Sequence, residues 1–301
     1  MKKIIGVIIV LVVLFNVSGC GSHQTGNPQN EKRMVIVTSF YPLYIMTRNV
    51  TEGVTGVKVV NMTPQYTGCL HDYQITTRDM KILDEADVFI INGAGMESFL
   101  QDVAIRQPDL EIIEASKGLK LIKNSAGEIN SHTWVDPIMA IEEVRNISTG
   151  LSRIDPIHES IYSTNANKYE TKLEALSQEM KTCLEDAKNF SSITLHDAFP
   201  YLARDYGLNI VGVIEGEPGT EPGAGQTAEL IEKAKKQKVR VIFIEPQYSD
   251  RAARAIASEC EAGIYTLDPA VTGPDDPNAY IATMRKNLKG LKEALAANER
   301  D

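Results

Sequence analysis

From Pro156 to about Lys188 the chain contains no glycine and no second proline. Ile157, Ile161, Tyr169, Leu173, Leu176, Met180, Leu184 and Ala187 recur there at intervals near three and four, with a gap at 165. That period predicts one amphipathic helix of about 33 residues, roughly 50 Å long at 1.5 Å per residue. Such a helix outspans a small domain. It is expected to be a rigid spine between two lobes.

Both flanks support that division. Before it, "MVIVTSF" (34–40), "VKVVNMT" (57–63), "VFIING" (88–93) and "EIIEA" (111–115) are short β-rich apolar runs separated by helical stretches. After it, "SITLHDA" (192–198), "NIVGVIE" (209–215), "VRVIFIEP" (239–246) and "IYTLDP" (264–269) repeat the theme, with a helix expected over 227–238. Alternation of this kind reads as βαβ units and parallel sheets. The expected fold is therefore α/β. Two Rossmann-like lobes, 34–155 and 189–301, flank the linking helix at 156–188. Cys183 falls on the helix's apolar stripe and is expected to be a buried thiol.

The start of the chain has another character. Lys2 and Lys3 precede an apolar run over 4–15, too short for a stable span and suited to a signal h-region. It ends in Val17-Ser18-Gly19-Cys20, which resembles a bacterial lipobox. Residues 1–19 are expected to be a lipoprotein signal peptide, with Cys20 the lipid-bearing first residue after cleavage. Residues 20–33 are polar and rich in Gly, Pro, Ser and Asn, as in a flexible tether. Losing 1–19 removes two lysines and no acid, moving the net charge from −9 to −11. An acidic surface excludes phosphate-backbone binding, so no nucleic-acid partner is expected. Beyond Cys20 only Cys69, Cys183 and Cys260 remain, too few and too scattered for a disulfide framework.

Five histidines carry the chemistry of interest. His71 follows the second strand and precedes the capping-box pattern Thr76-Thr77-Arg78-Asp79. His132 stands in "SHTWVDP", before a helix that Asp136 can cap and Pro137 can start. His196 and Asp268 stand at the ends of strands in the second half. Ligands of open parallel sheets bind outside the carboxyl ends of strands, so all four can meet in a cleft between facing lobes. His23 lies in the tether, and His158, at the spine's start, is expected to be solvated. Three imidazoles and a carboxylate suit tetrahedral zinc, whereas manganese prefers more oxygen. Cys69, two residues before His71, is a possible soft ligand.

These stretches resemble a known family, the metal-receptor lipoproteins of bacterial ABC importers (cluster A-I, the zinc and manganese group of solute-binding proteins). The matching segments are "TSFYPLY", "HDYQITTRDMKILDEADVFIINGAGMESFL", "SHTWVDP", "LHDAFPYLARDYGL", "VIFIEPQYS" and "TLDP", in the family's order over nearly all of 34–301. The resemblance implies a metal in the inter-lobe cleft, held at His71, His132, His196 and Asp268. Histidine rather than a carboxylate at position 196 favours zinc. Three features depart from the pattern. The asparagine-proline pair often found before the second histidine is replaced by Asn130-Ser131. The stretch "LIKNSAGEIN" (121–130) lacks the His-rich loop of many zinc members, and Cys69 is not a family feature.

The resemblance implies a non-enzymatic, monomeric receptor outside the cytoplasm. It would be lipid-anchored to the membrane through Cys20 and would deliver zinc to a permease subunit. A manganese receptor is the near alternative. A surface zinc hydrolase with Glu245 as base, or an adhesin, would be the alternative from another class.

Overall fold

In each half of the chain, four short Val/Ile-rich segments pair into an all-parallel sheet with the same strand order. The structure is a computed structural model. It describes residues 33–298 apart from 65, 66, 68, 72, 124–126, 186–190 and 216–218, so the expected signal peptide, all but the last residue of the tether, and Cys20 lie outside the described residues. The first lobe runs β1 (Met34–Thr38), α1 (Tyr41–Val50), β2 (Val57–Asn61), α2 (Thr77–Asp84), β3 (Val88–Ile91), α3 (Leu100–Arg106) and β4 (Glu111–Glu114), with sheet order β2-β1-β3-β4. Ile36 on β1 faces Val59 on one side and Val88 on the other. All four residues of β3 are buried, as expected for a central parallel strand covered on both faces.

The second lobe contains β5 (Ser191–Thr194), α6 (Pro200–Tyr206), β6 (Asn209–Val213), α7 (Ala224–Lys236), β7 (Val241–Ile244), α8 (Arg251–Cys260) and β8 (Gly263–Thr266), ordered β6-β5-β7-β8. Every strand expected from sequence is present, with ends displaced by no more than four residues. In both sheets the order reverses between the first and third strands. That switch point is where an α/β sheet opens a binding crevice.

Two helices join the lobes. Asp136 caps α4 (Pro137–Ile154), its Oδ1 accepting from Ile138 N at 2.9 Å, with Pro137 at the first helical position. Asp155 is pushed out of helical geometry by the following proline, and a single 3-10 turn, Pro156–His158, leads into α5 (Glu159–Cys183). The linking helix is thus 25 residues, close to 37 Å, and shorter than expected. Its buried face also differs. Tyr162, Ala166, Tyr169, Leu173, Leu176 and Met180 face the core, while Ile157 is 88% and Ile161 38% exposed. Because the 3-10 turn starts the segment, Ile157 and Ile161 fall out of phase with the stripe that continues to Met180. Ala166 fills the apparent gap at 165. His158 is half-buried, not solvated, with Nδ1 2.7 Å from Asp155 Oδ2. Cys183 is partly rather than fully buried, and Cys69, Cys183 and Cys260 are all free thiols.

One continuous core crosses both lobes, from β1 and β3 through α4 and α5 to Tyr280, Met284 and Leu291 of α9 (Ala279–Asn298). A second core, around Ile193, Ile242 and Ile256, lies within the second lobe. Polar struts reinforce the junction. Tyr41 Oη donates to Pro274 O at 2.7 Å, Asn49 Nδ2 to Pro277 O at 2.8 Å, and Trp134 Nε1 to Pro269 O at 2.7 Å.

Candidate metal centre

The site is assembled from loops at the carboxyl ends of strands in both lobes. At the end of β3, Gly93, Ala94 and Gly95 all take positive φ, folding the chain into a tight turn. The turn aims the Asn92 and Gly93 amides at the Glu97 carboxylate, at 2.8 and 3.0 Å, and Ser39 Oγ adds a third donor at 2.7 Å. Asn92 Nδ2 then holds Ser131 O at 2.9 Å. This buried network fixes the segment before the 3-10 turn Thr133–Val135, and so fixes His132.

His132 is 3% exposed and His196 2%. The His132 Nε2 atom is 3.1 Å from His71 Nε2 and 3.2 Å from His196 Nε2. The His132 ring nitrogen thus lies between those of His71 and His196, within 3.2 Å of each. The opposite ring nitrogens are engaged. Asn130 Oδ1 lies 3.2 Å from His132 Nδ1, and Glu245 Oε1 lies 2.5 Å from His196 Nδ1. A carboxylate or amide oxygen can only accept, so these contacts set Nδ1–H tautomers and leave the Nε2 positions for the centre. Such outer partners orient metal-binding imidazoles and raise their basicity.

Burial, with His196 and His71 nearby, pushes His132 well below the usual imidazole range. Burial works against charge on His196, but Cys69 and Glu245 outweigh it and push that ring up to about 10. Glu245, 2% exposed, is raised by burial, which its contact with His196 partly offsets.

Asp268 lies two residues beyond β8 and is fixed by its neighbours. Its Oδ1 accepts from Gln247 Nε2 and from Ala270 N, each at 2.9 Å, while Asn287 brackets its backbone N–H and C=O at 2.8 and 2.7 Å. Among the described residues, the metal-type ligand atoms that all lie within 4.8 Å of one another belong to Cys69, His132 and His196; His71, which reaches only His132 at hydrogen-bond distance, and Asp268 are outside that set. Asn130, Gln247 and Asn287 are supporting residues that the sequence reading missed. Only their place beside the ligand motifs, in "NSHTW" and "IEPQ", could have flagged the first two. Glu245, considered as a base, instead holds His196.

Comparison with known proteins shows the family. The family model described as "Zinc-uptake complex component A periplasmic" (ZnuA) matches residues 36–294. The high-affinity zinc uptake system protein ZnuA of Bacillus subtilis (strain 168) is 30% identical over 319 residues, covering 98% of each chain. The Zn(II)-bound structure of AdcA from Streptococcus pneumoniae aligns with a TM-score of 0.75 at 30% identity over 87% of this chain; it is the longer protein, 57% covered. The solute-binding protein FpvC from Pseudomonas aeruginosa, solved with Mn2+, aligns with a TM-score of 0.81 at 27% identity, over 89% of this chain and 100% of that one. The chain belongs to the ZnuA family of metal-capturing substrate-binding receptors for zinc uptake.

Proposed function

We propose that this chain captures one zinc ion between its lobes, through His71, His132 and His196, and delivers it to the permease subunit of an ABC importer. The carrying observation is that His132 Nε2 lies 3.1 Å from His71 Nε2 and 3.2 Å from His196 Nε2. Zinc–nitrogen bonds of about 2.0–2.1 Å at tetrahedral angles place ligand nitrogens about 3.3–3.4 Å apart, so one ion fits with small adjustment. The fourth corner has two claimants, Asp268 and Cys69.

Ligand chemistry favours zinc over manganese, because imidazole nitrogen suits the softer and later metal. That Glu245 is tied to His196 supports a receptor over a hydrolase, since a hydrolase needs a base free to act on a metal-bound water. The molecule acts as a monomer outside the cytoplasm. Cleavage after residue 19 leaves Cys20 as the lipid anchor and 20–33 as tether, with lobes at 34–155 and 189–301. Among the described residues no helix is long and apolar enough to cross a membrane, and the anchor supplies the attachment.

Metal analysis by mass spectrometry, with zinc and manganese in competition, tests this reading. One zinc per chain, retained against manganese, is expected. Manganese winning at equal free concentration would contradict it. Labelled fatty acid should enter the wild type and not Cys20→Ala.

A further inference from the structure

The geometry points to Cys69 as the fourth ligand, a thiolate that closes a three-histidine, one-sulfur site; this rests on the metal-capture reading above. Cys69 Sγ lies 3.7 Å from His196 Nε2. A zinc–sulfur bond of about 2.3 Å and a zinc–nitrogen bond of about 2.05 Å at the tetrahedral angle put sulfur and nitrogen about 3.6 Å apart. The observed separation is therefore that of one tetrahedral edge, as the two histidine separations are. The three ligand atoms of Cys69, His132 and His196 also lie within 4.8 Å of one another, so a small inward shift of the Cys69 loop brings all three into range of one ion.

The loop is held in place for this role. The Cys69 amide donates to Tyr248 Oη at 3.3 Å, and the Tyr248 ring packs edge-on against His196 with centroids 5.8 Å apart. Leu70, next in sequence, is fully buried and pins the loop to the core. Asp268 accepts from Gln247 and Ala270 N through Oδ1, and its carboxylate lies outside that close set of ligand atoms. Coordination replaces the S–H bond with a sulfur–metal bond and releases one proton to the buffer, with no oxidant involved. A thiolate also makes the site softer than one closed by a carboxylate, so cadmium should bind well.

Cobalt(II) substitution of the purified protein provides the test. The wild type should show an intense sulfur-to-cobalt charge-transfer band in the near ultraviolet. Cys69→Ser should lose that band while keeping the visible bands of histidine-bound cobalt, and Asp268→Asn should keep both. Zinc and cadmium affinities should fall by about 10–100-fold in Cys69→Ser, cadmium more than zinc. Zinc should also shield Cys69 of the wild type from alkylation, read by peptide mapping, which needs no variant. Stoichiometric cobalt binding without the charge-transfer band would overturn the cysteine assignment and leave the receptor reading standing. Absence of any metal binding would overturn both.

Discussion

Glu245 Oε1 lies 2.5 Å from His196 Nδ1, with both side chains nearly sealed from solvent. The carboxylate fixes which face of the imidazole turns to the centre and enriches its electrons. Glu245→Gln keeps the shape and removes the charge. Zinc affinity should drop by about 10–100-fold, the usual cost of losing an outer-shell partner, while the ion-free fold survives. Chelator competition measures this; unchanged affinity would mean that Glu245 does not position His196.

Trp134 is the sole tryptophan, fully buried, with its ring centroid 5.3 Å from that of His132. Its emission should respond to zinc in a saturable, one-site manner. Trp134→Phe would leave the carbonyl of Pro269 without its donor, and destabilisation of about 1–3 kcal/mol is expected from that loss. A flat fluorescence titration alongside calorimetric zinc binding would contradict the placement of the ring.

Glu143 on α4 is fully buried, and its oxygens make no hydrogen bond of ordinary geometry, the Thr133 hydroxyl being only a weak neighbour. Burial pushes its carboxyl up to about 8; the Thr133 hydroxyl opposes the rise and Glu97 adds to it. The unfolded chain ionises this group near 4.5, so across that window the folded state holds a proton that the unfolded state has lost. The contribution is complete below about pH 4.5 and lost as pH rises through about 8. Thermal melts in chelator should show Glu143→Gln gaining on the wild type between about pH 5 and 9. A difference that does not change with pH would refute the burial argument.

The core and the struts Tyr41–Pro274 and Trp134–Pro269 cross from lobe to lobe, and α5 packs against α1, α4 and α9. Wide hinge closure needs a few residues free to change their dihedral angles, and this junction has a packed helix instead. Small-angle scattering should give nearly equal radii of gyration with and without zinc. The melting temperature should rise clearly, because the ion binds only the folded state. A large compaction would rule out the stiff junction.

Much of this was legible in the sequence, for local reasons. Runs such as "VFII" and "VIFI" form strands because β-branched residues bounded by turn signals leave few options. His71 and His196 follow strands and His132 precedes a helix, so the cleft could be inferred from the order of elements. The start of α5 was misread because a period drawn through Ile157 and Ile161 does not register the 3-10 turn at Pro156. The roles of Gln247 and Asn287 were not legible, since their bonds to Asp268 span 21 and 19 residues. Whether Cys69 reaches the centre depends on how the second lobe presents His196, which no spacing within the first lobe records.

The central claim is that three imidazoles meet on one ion. X-ray absorption at the zinc edge of the loaded protein counts them directly. The account predicts three imidazoles at about 2.0–2.1 Å, recognisable by the outer-shell scattering of their rings, and a fall to two in His132→Ala. A first shell built from oxygen alone, or one that His132→Ala leaves unchanged, would contradict it.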